Sequence, residues 1–378
     1  MNKVAIIAGE LSGDKIGASL VRILSQKYNI ELFGVGGQEL SDLGLKSLFP
    51  YEELSIIGIW SILKNIKKLN IRLNFTVKAI VDYNPDILII IDSPEFTHRV
   101  AKRVNKSLPN LPIINLVPPL VWVWRRYRAR YMQNYITHIL CIYPFEPRVF
   151  RELNGPNCTY IGNPLFNKIT QIRESKDQEL LDRLVPKTIL FMPGSRQSEV
   201  EKLLPTAVNS FKKILTQGYN IKIKIPTFTK FSSAIKRQFQ DQNLDFEIIV
   251  DETEKVKNFY QSDVALVASG SATLELCAAK LPMVVIYKLN FLNVILALLI
   301  GLNKSYISLP NLILNRKLVP ELVQYKCTSE NISQSIRELL DDVGKRKYQM
   351  DGFDEIHSKM RAFSSDKELH NLFCNYLS

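Results

Sequence analysis

Short apolar runs alternate with longer amphipathic stretches from the first residues of the chain. In the first half the runs are Val4–Ala8, Ile30–Val35, Ile87–Ile91, Ile113–Val117 and His138–Ile142. Each is apolar at consecutive rather than alternate positions and is bounded by Gly, Pro, Asn or Asp. That is the pattern of a strand covered on both faces in a parallel sheet. A polar stretch from Gln171 to Leu184 interrupts the rhythm, which resumes with Thr188–Met192, Ile221–Ile225, Phe246–Val250, Val264–Ala268 and Met283–Tyr287. Two successive sets of βα units predict two Rossmann-like, doubly wound α/β domains facing a central cleft. We place them at residues 1–170 and 185–345, with charged helices forming a tail over 346–378. A chain of 378 residues exceeds the size at which one core keeps growing, which agrees with two domains.

The ends of the runs carry the candidate chemistry. Thr188–Met192 breaks at Pro193-Gly194-Ser195-Arg196 and a helical pattern follows. A strand, a glycine turn and a helix start aim unpaired N–H groups and a helix dipole at an anion, and Arg196 adds a planar fork for phosphate oxygens. The alternative is an ordinary strand–helix turn. The device recurs at Ser269-Gly270-Ser271-Ala272-Thr273, where Glu275 can accept from ribose hydroxyls and the hydroxyl residues can equally be caps. Gly9, Gly13 and Gly17 are spaced by four, which matches neither a dinucleotide fingerprint nor a P-loop. They let backbone approach a ligand or form a tight turn. Asp92, at the end of Ile87–Ile91, is a general base if burial raises its pKa, or a cap of the turn that follows; Glu95 is a second candidate.

Composition narrows the partners. The net charge of +12 calls for an anionic partner: nucleic acid, a membrane surface or a phosphorylated substrate. Trp122-Val123-Trp124-Arg125 alone suits nucleic acid, but no accompanying RNA-binding module is present, and the same residues suit a phosphorylated, acylated sugar. The stretch from Leu54 to Asn74 reads as a basic amphipathic helix, for a membrane interface or for the core. The charge-free run around Phe291–Ile300 is shorter than the ~20 residues of a spanning helix. The five cysteines are scattered without a CxxC pair, there is no HExxH, and no Asp-x-Asp occurs. A bound metal and a resident cofactor are therefore not expected. With no signal-peptide pattern at the N-terminus, a cytoplasmic location is expected.

Taken in order, Ala8-Gly9-Glu10-Leu11-Ser12-Gly13-Asp14, Ile91-Asp92-Ser93-Pro94-Glu95-Phe96, Val121-Trp122-Val123-Trp124-Arg125, Pro193-Gly194-Ser195-Arg196-Gln197-Ser198-Glu199, Ala268-Ser269-Gly270-Ser271-Ala272-Thr273-Leu274-Glu275 and Tyr306-Ile307-Ser308-Leu309-Pro310-Asn311-Leu312 together resemble the bacterial lipid A disaccharide synthases. That family has the B-type glycosyltransferase (GT-B) fold. The resemblance implies an inverting, metal-independent transfer from UDP-2,3-diacylglucosamine to 2,3-diacylglucosamine 1-phosphate. The products would be a β-1,6-linked disaccharide 1-phosphate and UDP. It also implies a peripheral protein on the inner face of the bacterial inner membrane, able to dimerise through its C-terminal part. Residue by residue, it implies Asp92 as base and Arg196 at the diphosphate. Gly194, Ser195, Ser269, Gly270, Ser271, Ala272, Thr273, Glu275 and Asn311 would complete the UDP site. Glu10, Ser12, Asp14, Glu95, Trp122, Trp124 and Arg125 would serve the acceptor. Pro118, Leu120, Glu95 and Asn163 depart from the usual pattern. The rival enzyme is a UDP-N-acetylglucosamine 2-epimerase, which shares the fold and the nucleotide but needs no lipid face.

Overall fold

A computed structural model describes residues 1–54, 59–122, 125–163, 166, 169, 186–242, 244–288, 306–360 and 366–377, excepting the side chains at 52, 59–68 and 366–368. Trp124, the whole polar stretch from Gln171 to Leu184 and the Phe291–Ile300 run lie outside the described residues. The chain divides into two units, Met1–Pro164 with Ala362–Ser378, and Leu165–Arg361.

In the first unit the apolar runs form a parallel sheet: β1 (Asn2–Ala8), β2 (Ile30–Val35), β3 (Lys46–Ser47), β4 (Ile87–Ile91), β5 (Ile113–Leu116), β6 (His138–Cys141) and β7 (Cys158–Tyr160), in the order β3-β2-β1-β4-β5-β6-β7. Ile6, Ile7 and all five residues of β4 are wholly buried, because helices cover both faces. These include α1 (Leu11–Leu24), α2 (Gln38–Ser41), α3 (Ile59–Tyr83), α4 (Pro94–Ser107), α5 (Tyr127–Met132) and α6 (Glu146–Glu152). On α3, Leu73 and Ile80 face the core while Ile71 and Phe75 are exposed. Arg72, basic in the predicted amphipathic helix, pairs in bidentate fashion with Glu53 at 2.9 and 3.0 Å.

The second unit repeats the plan with β8 (Lys187–Met192), β9 (Ile221–Pro226), β10 (Phe246–Ile249), β11 (Val264–Ala268), β12 (Met283–Tyr287) and β13 (Glu321–Val323), in the order β10-β9-β8-β11-β12-β13 and all parallel. Its helices include α7 (Gln197–Thr216), α8 (Thr229–Gln240), α9 (Glu252–Phe259), α10 (Ala272–Ala278), α11 (Leu309–Leu314), α12 (Ser329–Asp341) and α13 (Val343–Met360). Phe191, Phe211 and Phe239 centre its core.

In both sheets the strand order reverses beside the first strand, between β1 and β4 and between β8 and β11. Ligands of open α/β sheets bind outside the carboxyl ends of the strands at such a point. The C-terminal tail is not one separate piece. Gln349 of α13 exchanges hydrogen bonds with the backbone of Met283 in the second unit. The following α14 (Asp366–Phe373) packs on the first unit, where Tyr28 donates to the His370 carbonyl at 3.1 Å.

Candidate active site

In the first unit the switch point carries Asp92. It and Ser93 adopt left-handed backbone, φ 53 and 40, between β4 and α4. Non-glycine residues rarely occupy that region, so the surrounding packing must enforce it. Gly9, Gly13 and Gly17 let β1 and α1 close on this turn. A Cβ on Gly9 would collide with Ser93, one on Gly13 would lie 2.7 Å from Asp92 Oδ2, and one on Gly17 2.7 Å from Ile91.

Ser12 Oγ donates to Asp92 Oδ2 at 3.3 Å. Burial, with the Glu10 charge added, pushes the Asp92 carboxyl up to about 7, against the lowering effect of the Ser12 bond. A carboxyl poised near neutrality is what a general base needs. Glu95 is the opposite case. Burial would raise it, but Arg128, Arg125 and Arg99 outweigh that and hold it below the usual carboxylate range. Of the two candidates, only Asp92 is shifted toward neutrality.

Two expected acceptor residues are committed inward. Asp14 is wholly buried and accepts from the backbone N–H groups of Gly37, Glu39 and Leu40 at 2.7, 2.9 and 3.3 Å, so it caps α2 and joins α1 to it. Trp122 is buried and donates from Nε1 to Glu146 at 3.2 Å. Glu146 also accepts from the Tyr143 N–H at 3.1 Å, and burial pushes its carboxyl up to about 8 despite these bonds. Glu10 is half-buried and Ser12 exposed beside Asp92. Arg125 meets Glu95 at 3.1 Å.

In the second unit both predicted turns stand at the switch point. Gly194 has φ +105, and a Cβ there would lie 2.5 Å from Glu199 Oε2. Glu199 is one turn into α7. It accepts the Arg196 N–H and pairs with the Arg196 guanidinium, both at 3.3 Å. Ser195 and Arg196 are exposed at the helix start. Arg196 also bonds to Tyr287 at the end of β12, whose phenol burial and Glu199 raise.

At the other turn Ser269 Oγ donates to the Ile307 carbonyl at 3.1 Å, while Gly270 and Ser271 are exposed and Ala272 half-buried. Thr273 is wholly buried and donates to the Gly270 carbonyl at 2.8 Å, which makes it a brace of the turn rather than a ligand group. Glu275 is not free, as the ribose role would have it: Lys255 of α9 reaches it at 2.6 Å. Burial would lower the Lys255 ammonium, but Glu275 and Glu252 outweigh this and hold it above its usual range.

Asn311 is likewise wholly buried and fully engaged. Its Oδ1 accepts from the Leu318 and Val319 N–H groups, and its Nδ2 donates to the Val319 carbonyl and to Glu321. Glu321 in turn accepts from the backbone N–H groups of Ile307 and Ser308. Asn311 therefore shapes the segment that carries Ser269's partner instead of facing a ligand. The stretches around Ser308–Leu312 and Val319–Leu322 carry the helix α11 and the strand β13.

Sequence reasoning passed over Lys255, Glu146, Arg128 and Glu321. A lone acid after the apolar end of β6 was the available hint for Glu146. Nothing local pairs Lys255 with Glu275, twenty positions on. Among the described residues no group of three or more His, Cys, Asp or Glu lies close enough to hold a metal ion, and no helix is long and apolar enough to cross a membrane.

The model of the family described as Lipid-A-disaccharide synthetase matches residues 4–372. The lipid-A-disaccharide synthase of Rhodopseudomonas palustris (strain HaA2) is 35% identical over 95% of this chain and 92% of its own length. That of Francisella philomiragia is 36% identical over 97% of each. Among solved structures, a co-structure of Staphylococcus aureus MnaA with UDP superposes with a TM-score of 0.62 at 16% identity, over 95% of this chain and 96% of that one. A glycosyltransferase from Rickettsia africae gives 0.59 at 14%, over 99% and 97%. At such identities these structures speak for the two-unit GT-B fold alone.

Proposed function

The chain belongs to the lipid-A-disaccharide synthase family and is a hexosyltransferase; we propose that it moves a 2,3-diacylglucosaminyl unit from UDP to 2,3-diacylglucosamine 1-phosphate. Asp92 takes the proton from the acceptor's 6-hydroxyl. The freed oxygen attacks the donor's anomeric carbon as the bond from that carbon to the diphosphate oxygen breaks. UDP leaves with the bonding pair, and one displacement turns the α-linked donor into a β-linked product. The observation that carries this reading is the Asp92 carboxyl, raised to about 7 at the switch point of the first unit.

In the second unit the amides around Gly194 and Arg196 would meet the charge that grows on the leaving diphosphate. The exposed turn at Gly270 and Ser271, with Glu275 oriented by Lys255, would meet the nucleoside. A UDP-sugar donor is in keeping with the UDP in the S. aureus MnaA structure and the UDP-GlcNAc in that of a Neisseria meningitidis 2-epimerase. The net charge of +12 and the exposed Ile71 and Phe75 on α3 support attachment to an anionic membrane surface, on the cytoplasmic face in this reading.

The test is turnover with the acylated UDP-sugar and the acylated sugar 1-phosphate in detergent, with and without a chelator. Disaccharide and UDP should form in both. Epimerised UDP-sugar without disaccharide would overturn the reading, and activity lost to the chelator would remove its metal-independent leaving-group step.

A further inference from the structure

Glu95 stands in the first turn of α4, and three guanidiniums gather on its one carboxylate. Oε1 accepts from Arg125 Nη1 at 3.1 Å and from Arg128 Nη2, while Arg99 Nη2 lies 3.9 Å from Oε2. Three positive charges around one negative leave a local surplus of two. Arg128 is anchored on α5 with its side chain only 24% exposed, and Arg125 sits at φ 52, immediately before that helix. Burial, helped by Arg128 and Lys102, lowers nearby His98 to about 3, so the positive charge at this place comes from the arginines.

We infer that Arg125 and Arg128, pre-aligned by Glu95, bind a phosphomonoester dianion: the 1-phosphate of the acceptor sugar. A phosphomonoester carries about −1.5 to −2 charges at pH 7 and three acceptor oxygens. That matches both the surplus and the paired planar forks, whereas one carboxylate satisfies neither. Glu95 is then a positioning residue that holds the two guanidiniums on one oxygen until the phosphate displaces it. Its place three residues from Asp92 would bring the acceptor's phosphate and its attacking hydroxyl to the same turn. The ligand's chemistry follows from the cluster alone, but its identity as the acceptor rests on the proposed transfer reaction.

The full-length protein, saturated with UDP to occupy the second unit, is titrated with inorganic phosphate and with glucosamine 1-phosphate. Arg128→Gln should weaken both by about tenfold or more, and Arg125→Gln serves as the second variant should the first not fold. Glu95→Gln keeps an acceptor oxygen for both guanidiniums but removes the competing charge, so it should bind phosphate several-fold more tightly; weaker binding would mean that the carboxylate's charge is spent on structure and would overturn the inference. In turnover, Arg128→Gln should lose about tenfold or more in kcat/KM with the phosphorylated acceptor and little with the dephosphorylated one. Equal losses on both would overturn it. Retained binding to phosphatidic acid vesicles in the variant would support the acceptor as the source. Loss of vesicle binding with acceptor preference intact would reassign the site to a lipid headgroup and overturn the acceptor assignment. If the wild type makes no disaccharide yet its phosphate binding depends on Arg128, the transfer reaction fails and the site stands.

Discussion

Gly13 lies against Asp92 so closely that a Cβ on the glycine would stand 2.7 Å from the aspartate's Oδ2. The contact ties the first glycine-rich motif to the proposed base, through a close approach of α1 to the end of β4. Gly13→Ala should therefore displace the carboxylate while favouring the helix by up to ~1 kcal/mol of propensity. The expected result is kcat reduced about tenfold or more with a melting temperature changed by only a few degrees. An unchanged kcat would show that Asp92 tolerates the shift and would weaken its role.

Because burial and the Glu10 charge hold Asp92 near 7, its basic form is lost as pH falls through that value. Activity should rise with pH and level off above about 7. Asp92→Asn should abolish turnover while leaving UDP affinity near normal. Glu95→Gln should keep the wild-type pH profile, since Glu95 is held below the carboxylate range.

Glu146 is raised from its ordinary value to about 8 by burial. A group bound more tightly to its proton in the folded state stabilises fully below its unfolded pKa, ~4.3, and that contribution is lost as pH rises through 8. This contribution to the thermal stability of the wild type should therefore decline from about pH 4 to about pH 8 and level off above. Glu146→Gln, which retains an acceptor for the Trp122 indole N–H, should flatten the decline between about pH 5 and 8. Parallel curves for the two proteins would contradict the buried, neutral carboxyl.

Lys255 and Glu275 are each less than a fifth exposed, and removing one leaves the other without its partner. Lys255→Met should raise the donor KM by about tenfold and change kcat little, with Lys255→Arg restoring part of the loss. A purely structural role would instead lower melting temperature without this split.

Asn311→Ala should orphan the N–H groups of Leu318 and Val319 in a dry interior, at roughly 1–3 kcal/mol for each group left unpaired. The expected signature is a large drop in melting temperature, with weaker UDP binding following from the loosened segment around Ile307. Intact stability with lost UDP binding would return Asn311 to direct contact with ligand.

The ten long strands were legible because strands covered on both faces, such as Ile87–Ile91 and Val264–Ala268, are apolar at consecutive positions, while Ile221–Pro226 keeps its isoleucines on the buried face; the ends of Val4–Ala8, Ile87–Ile91, Thr188–Met192 and Val264–Ala268 were legible as turns. The edge strands Lys46–Ser47, Cys158–Tyr160 and Glu321–Val323 were not, since two or three half-covered residues carry no pattern. What the sequence determined by itself was the order of units and the placing of Asp92, Gly194, Arg196 and Ser269 at strand ends, because strand periodicity and glycine chemistry are local. Tertiary structure alone decided which polar residues remain open to a ligand. Asp14, Asn311, Thr273 and Trp122 look as available in sequence as Arg196, but folding brings unpaired N–H and carbonyl groups, or in the case of Trp122 a buried carboxyl, to meet them. A polar group already satisfied in a dry interior has nothing left to offer a substrate.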